Sequence, residues 1–160
     1  MAEHDYASLE SVERERQELF DFFANFPFFK LMGFKLIEAE PGRAKIGMTW
    51  RPDLVQPAGI LHGGALAALV DTSIAHSILL TPQYLEAKAQ GGRLVSVDLR
   101  IKYLRPVTSG MVYSESRAPR VGRQITHTSA IVTDGEGREV ATGDSIYMMV
   151  SAEQLRRKSG

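Results

Sequence analysis

Hydrophobic and polar positions change rhythm several times along this chain. From Tyr6 to Phe26, the residues Leu9, Val12, Leu19, Phe20, Phe23 and Phe26 recur near helical spacing, with Glu10, Glu13, Arg14, Glu15 and Arg16 between them. That spacing predicts an amphipathic helix. Its phenylalanines, with Phe22, Phe28 and Phe29, read as a packing surface, or as a lid over an apolar ligand. After Pro27 a short turn through Leu31 and Met32 reaches Gly33, a residue suited to stopping a helix. Phe34 to Glu40 reads as a strand and Pro41-Gly42 as a turn. In Arg43 to Trp50, Ala44, Ile46, Met48 and Trp50 alternate with polar or small residues as in a second strand. Arg51 to Gly59 holds two prolines and a glycine without a period, and is expected to be a loop.

From about His62 to Leu80 apolar positions cover most of a helix circumference, which places that helix inside the protein. Thr81-Pro82 is expected to end it, and Gln83 to Gly92 to be a polar connection. Four segments then alternate with period two: Arg93 to Leu104, Gly110 to Pro119, Gln124 to Asp134 and Arg138 to Val150. Their short connections predict antiparallel neighbours in succession. The tail from Ser151 to Gly160 is basic and polar and is expected to fray. The order predicts an α+β fold, a six-stranded antiparallel sheet curved around one long buried helix, with an extra N-terminal helix. It divides the chain into a helical extension (1–26), a main domain (27–150) and a flexible tail (151–160). Such a sheet leaves one face to solvent or to a second subunit, so a homo-oligomer is expected.

Composition narrows the function classes. At 160 residues, with 44% hydrophobic and 24% charged, the chain is neither disordered nor fibrous and suits one domain. Nineteen basic and nineteen acidic side chains give zero formal charge, which removes any general attraction to nucleic acid or anionic membrane. Neither is expected as a partner. Cysteine is absent, excluding disulfides, thiol nucleophiles and thiolate-bound metals. The start, Met1-Ala2-Glu3-His4-Asp5, is acidic and no apolar run reaches membrane-spanning length, so neither signal peptide nor anchor is expected. The default compartment is the cytoplasm.

Chemistry concentrates between Gly59 and Ser73. Asp71 sits in the apolar helix with Ala67, Ala68, Ile74 and Ala75 three and four residues away, and no Lys or Arg occurs between Arg51 and Lys88. The usual helical ion pair is therefore closed to it. Such a carboxylate is either bonded to groups distant in sequence or is a candidate for acid/base or nucleophilic work. Gly63 and Gly64, at the helix start, would let a ligand approach the free N–H groups, where the dipole favours negative charge. His62 lacks a second ligand at metal-motif spacing, and His76 is displaced around the helix. Nine residues at ~100° each put His62 and Asp71 on opposite sides of an ideal helix. One helix therefore cannot easily bring Gly63 and Asp71 to the same carbonyl.

These residues carry a resemblance. His62-Gly63-Gly64 opens the helix and Asp71 follows nine residues after the histidine. Leu31-Met32-Gly33 precedes the first strand, and Val95-Ser96-Val97-Asp98-Leu99 leads to Tyr103-Leu104-Arg105-Pro106. From about Phe28 to Met149 the chain resembles the hotdog-fold acyl-CoA thioesterase superfamily, in the branch of the phenylacetate-pathway thioesterase and human thioesterase superfamily member 2. The resemblance implies hydrolysis of acyl-CoA to a free acid and coenzyme A, with coenzyme A part of the substrate and no metal or redox cofactor. It implies Asp71 as general base or nucleophile, and the Gly63 N–H polarising the thioester oxygen beside Gly64. His62 would shape the helix start. Gln56, where relatives commonly carry Asn, and Ser96 would orient thioester and water. The turn Arg120-Val121-Gly122-Arg123 would lie near the coenzyme A phosphates. Composite sites at a dimer interface, and dimers or tetramers, are implied as well. Asp98, His127 and Asp144 read as structural, and Trp50, Tyr84 and Met111 as possible pocket residues. The alternatives are an acyl-CoA-binding module without turnover and a dehydratase or hydratase of the same fold.

Overall fold

The computed structural model describes residues 9–156. Helix α1 covers Leu9–Asn25; the start of the predicted helix, at Tyr6, lies outside the described residues. Leu31-Met32 belongs to a short helix, α2 (Pro27–Met32), which Gly33 closes at φ 69°, returning its N–H to the Lys30 carbonyl at 3.1 Å. The predicted hairpin forms from β1 (Phe34–Glu40) and β2 (Arg43–Thr49). The long helix, α3, runs Gly63–Ile78, shorter than the predicted His62 to Leu80 because His62 and Leu79 are its caps. After it come α4 (Pro82–Ala89), β3 (Arg93–Tyr103), β4 (Met111–Val121), β5 (Ile125–Asp134), β6 (Glu139–Val150) and α5 (Ala152–Arg156). Helix α4 replaces the expected polar connection. Thr81-Pro82 ends one helix and also opens the next, Pro82 standing in the first turn, where a missing N–H costs nothing. The tail, expected to fray, is helical as far as Arg156, and residues 157–160 lie outside the described residues.

All six strands join one antiparallel sheet in the order β1-β2-β4-β5-β6-β3. Succession therefore fails once: β3 and β4 are consecutive but not neighbours. The chain between them, 104–110, passes the start of α3, where the Leu61 N–H bonds the Val107 carbonyl at 2.8 Å. It then delivers β4 to the free edge of β2, while β3 pairs with β6 and becomes the opposite edge of the sheet. Within β3 the register slips between Ser96 and Asp98, a bulge that alternation alone did not predict. The slip has a direct effect on side chains, because one extra residue exchanges the two faces of a strand. Leu99, Ile101 and Tyr103 stand opposite the inward positions Ser145, Gly143 and Ala141; beyond the bulge, Ser96 takes the position opposite buried Tyr147, and Val97 is 58% exposed.

The sheet curls around α3, whose Leu66, Leu69, Val70, Ile74 and Ile78 are buried with Ile46, Met48, Val112, Val132 and Val140 of the strands. Where α3 meets β4 the facing residues are serines. Ser73 and Ser114 share a 2.6 Å hydrogen bond, and the Ser116 hydroxyl donates to the Ser73 carbonyl at 2.6 Å. Small side chains let helix and strand approach, and each buried hydroxyl finds the partner that burial demands. At Gly143 of β6 the approach is closer still. A methyl group there would fall 2.6 Å from Val70 Cγ1, 2.9 Å from Ile101 Cδ1 and 3.2 Å from the Arg100 carbonyl oxygen.

The N-terminal helices close over the C-terminal half of α3 through His76. Its Nδ1–H donates to the Thr72 carbonyl at 2.7 Å, leaving Nε2 buried without a partner among the described residues, with the rings of Phe23 and Phe29 at 5.0 and 5.6 Å. Two of the phenylalanines thus act as packing, Phe23, 3% exposed, stacking on Phe29 at 4.4 Å, while Phe22, Phe26 and Phe28 are exposed. Burial pushes the His76 imidazole down to about 4 from 6.5, the Thr72 hydrogen bond opposing only part of that shift. Between those pH values the unfolded chain takes up a proton that the folded chain refuses. Stability contributed by neutral His76 is therefore complete above pH 6.5 and is lost as the pH falls to about 4, up to about 3 kcal/mol. Urea unfolding at pH 7 and pH 4.5 checks this: the wild type is expected to lose more stability between them than His76→Leu.

Candidate active site

The start and the middle of α3 carry different halves of the predicted site. At its start, the Gln56 N–H bonds the Ile60 carbonyl at 2.9 Å and the His62 N–H bonds the Leu54 carbonyl at 2.8 Å, so the preceding loop is tied back on itself. His62 caps the helix, Nδ1 accepting from the Gly64 N–H at 2.8 Å. That bond gives Gly64 a local reason to be glycine, since a Cβ there would lie 3.0 Å from His62 Nδ1. It also occupies the Gly64 donor. The Gly63 N–H has no partner among the described residues and stands at the positive end of the helix dipole.

Gly63 is held from the sheet by Tyr103, whose hydroxyl donates to the Gly63 carbonyl at 2.9 Å and whose ring would lie 3.0 Å from any Cβ at residue 63. Gln56, Gly63, Leu66, Tyr103 and Arg105 line a cleft of about 390 Å³. On the other side of the same helix start, Phe28, Met32, Leu54, Val55, Ala65 and Ala68 bound a hollow of about 430 Å³. Trp50, Tyr84 and Met111, considered as pocket residues, line neither.

Asp71 lies eight residues after Gly63, about 12 Å along the helix axis at 1.5 Å per residue. Its missing partner is distant in sequence. The Tyr147 hydroxyl, from β6, donates to Asp71 Oδ1 at 2.6 Å and also sits 3.0 Å from the Asp71 carbonyl oxygen. Across the strand pair, Ser96 stands opposite Tyr147, a position the β3 bulge gives it. Burial first, then the hydrogen bond to Asp71 and its charge, push the Tyr147 phenol well above its ordinary range, the Ser96 contact acting the other way. Tyr147 is therefore a proton donor that keeps its proton.

Register places the arginine turn relative to this group. Ser96, Tyr147, Thr126 and Val121 form one row across β3, β6, β5 and β4. The expectation that all of 120–123 forms a turn needs correcting. Arg120 and Val121 are still paired in β4, opposite His127 and Thr126, and Gly122 and Arg123 make the turn. Gly122 is required by the turn itself, because a Cβ there would fall 2.3 Å from the Ile125 carbonyl oxygen. Arg120 and Arg123 are exposed. The chain thus gathers Asp71, Ser96, Tyr147 and the start of the arginine turn at one end of the sheet, and Gln56, His62, Gly63, Gly64 and Tyr103 at the other. It does not bring Gly63 and Asp71 together. Asp98 and Asp144 flank Arg100 in ion pairs, the first at 3.4 Å. Among the described residues, no three His, Asp or Glu side chains gather as a metal site would need, and no single helix is long and apolar enough to cross a membrane.

The family pattern of the thioesterase superfamily matches residues 58–141, spanning the start of α3, Asp71 and Ser96. The chain belongs to the thioesterase superfamily. Within it, the chain is similar to Rv1847 of Mycobacterium tuberculosis, a protein named only as a candidate esterase: 32% identical over 117 residues, 73% of this chain and 81% of that one. It is also similar to the proofreading thioesterase EntH of Klebsiella pneumoniae, 37% identical over 87 residues, 54% of this chain and 59% of EntH. Among solved structures, Rv1847 superposes with a TM-score of 0.70 at 27% identity, covering 79% of this chain and 98% of that one. A point mutant of the phenylacetic acid degradation protein PaaI from Thermus thermophilus gives 0.66 at 26%, covering 76% and 97%. The fold is that of the hotdog thioesterases, and thioester hydrolysis is the activity the superfamily brings with it.

The sequence pointed to Asp71, Gly63 and His62 but missed both tyrosines. A signal was present in principle: a tyrosine at an inward strand position must find a partner for its hydroxyl. For Tyr103 and Tyr147 those partners are the helix residues 40 and 76 positions earlier.

Proposed function

We propose that this chain is a cytoplasmic acyl-CoA thioesterase whose active site is shared between two copies, Gly63 of one facing Asp71 of the other. The observation that carries the reading is the division of α3. An unpartnered N–H lies at its start, in a cleft, and a carboxylate held at Oδ1 by a phenol lies about 12 Å further along, at mid-helix. Neither position alone serves a thioester, whose carbonyl oxygen needs a donor while its carbon needs an attacking oxygen. A two-fold axis beside β3 supplies both twice. That edge supports such an axis: among the described residues no strand lies beside its outer backbone, and Val97, Tyr103 and Leu104 are 58%, 55% and 48% exposed. A long open edge of this kind normally finds a partner.

In the mechanism the Gly63 N–H receives the charge that develops on the thioester oxygen, a contribution of ~3 kcal/mol when such a donor is lost elsewhere. Asp71 either takes a proton from water as it attacks and passes it to the departing thiolate, or attacks the carbonyl carbon itself and expels coenzyme A as a thiolate that takes its proton from water. The second route leaves a mixed anhydride, which water hydrolyses to the free acid and the restored Asp71. Gln56 lies in the cleft with Gly63 and orients the thioester, while Ser96 lies with Asp71 and orients the water. Arg120 and Arg123, with Val121 and Gly122 setting the turn, offer planar donors to the phosphates of coenzyme A. The assembly is a dimer or a pair of dimers.

Purified protein is expected to release free thiol from at least one class in a panel of aryl- and fatty acyl-CoA thioesters. Thiol release separates hydrolysis from hydration, which leaves the thioester intact. Binding of acyl-CoA without thiol release would replace the enzyme reading with that of a binding module.

A further inference from the structure

We propose that Tyr147 is a positioning residue for Asp71: it ties down one carboxylate oxygen and turns the other toward the reacting group. The inference rests on the reading of Asp71 as base or nucleophile.

Geometry makes the case. The phenol oxygen lies between the side chain and the main chain of one residue, 2.6 Å from Oδ1 and 3.0 Å from the carbonyl oxygen. Its single proton goes to the carboxylate, the shorter and charge-assisted partner. Asp71 on a bare helix would sample several rotamers. With Oδ1 fixed from the sheet, its carboxylate plane is set, and Oδ2 has no partner among the described residues. Tyr147 is itself 4% exposed and packed in the core, so the anchor does not swing.

Ser96 extends the arrangement. The β3 bulge turns residue 96 inward and sets it opposite Tyr147, where its hydroxyl opposes the upward pull of burial on the phenol. A hydroxyl donating to the phenol oxygen from that position would strengthen the forward hydrogen bond to Asp71, with no proton leaving the phenol. The charged surroundings are simple. On α3 the neighbours three and four residues from Asp71 are Ala67, Ala68, Ile74 and Ala75. On β3 and β6, Arg100 pairs with Asp98 and Asp144, while Arg93, Lys102 and Glu139 stand in other rows of the sheet than Ser96 and Tyr147, and the charge that bears on the phenol is that of Asp71.

The test is the pH dependence of kcat and kcat/KM for wild type, Asp71→Asn, Tyr147→Phe, and protein carrying a ring-fluorinated tyrosine at 147. Losing the phenol donor leaves the ionised carboxylate less stabilised, so Tyr147→Phe is expected to move the acidic limb of kcat/KM upward. It is also expected to lower kcat about tenfold, with KM changed less than about twofold. The fluorinated ring keeps the packing and makes a stronger donor, which moves the limb downward. It reads out the same contact should Tyr147→Phe fold poorly. A fall in kcat with both limbs unmoved would mean that Tyr147 only packs, and would overturn the inference while leaving Asp71 in place. Full activity in Asp71→Asn would remove the reading of Asp71 and this inference together.

Discussion

Asp71→Asn is expected to lower kcat for thioester cleavage by ~10²-fold or more, with the fold and acyl-CoA binding retained. The substitution tests chemistry rather than shape. Asparagine has nearly the same outline, and its Oδ1 can still accept from the Tyr147 hydroxyl, so the contact between α3 and β6 survives. What it loses is the negative oxygen that removes a proton or attacks carbon. If the carboxylate were present merely to satisfy a buried phenol, the amide would do as well and activity would stay at the wild-type level. Thiol release measured beside circular dichroism and acyl-CoA titration separates these outcomes. A variant that is folded, saturable and inactive assigns the chemical step to residue 71.

Co-expression of Asp71→Asn with Gly63→Val is expected to restore activity that neither variant has alone. Valine at 63 would press its Cβ against the Tyr103 ring at 3.0 Å and fill the approach to the N–H. In a mixed dimer, one site combines Gly63 from the first chain with Asp71 from the second and is intact, while the other carries both lesions. Random pairing makes about half the dimers mixed, each with one working site of two, so about a quarter of wild-type activity returns. Differently tagged chains purified in tandem make the measurement clean. Recovery on pairing requires a shared site. If tandem-purified mixed dimers stay inactive while each parent is folded, the two halves do not meet across an interface.

Much of the architecture was legible in the sequence because alternation and helical spacing report which side of an element is buried. The bounds of β1 and the buried character of α3 followed from that record directly. Periodicity does not say who stands next to whom, so the passage of 104–110 from the β3 edge to β2 was invisible to it. Helix α4 was missed because Leu85 is its one buried residue, leaving almost no apolar stripe to read, although Pro82 one place after Thr81 was a usable start signal. The site divided in the same way. Asp71 stood out by lacking partners on its own helix, a local fact. That Tyr147 meets it depends on where β6 passes α3, and that Ser96 stands opposite Tyr147 depends on a one-residue bulge; both are facts of tertiary structure. Gly122 carries the opposite lesson: a glycine in a turn that the resemblance places near phosphates is explained first by a carbonyl 2.3 Å from where its side chain would be.

Helix α3 rests on bare main chain at Gly143, where Val70, the residue before Asp71, presses against the strand. For anyone redesigning the molecule, that contact is a datum surface with no adjustment, since no rotamer exists there to take up slack. The wall of the neighbouring hollow is the reverse: Phe28, Met32 and Leu54 sit on a short helix and a loop turn, and each can be exchanged for a larger or smaller side chain. The cavity can be recut on that side while the carboxylate stays at its fixed height above the sheet.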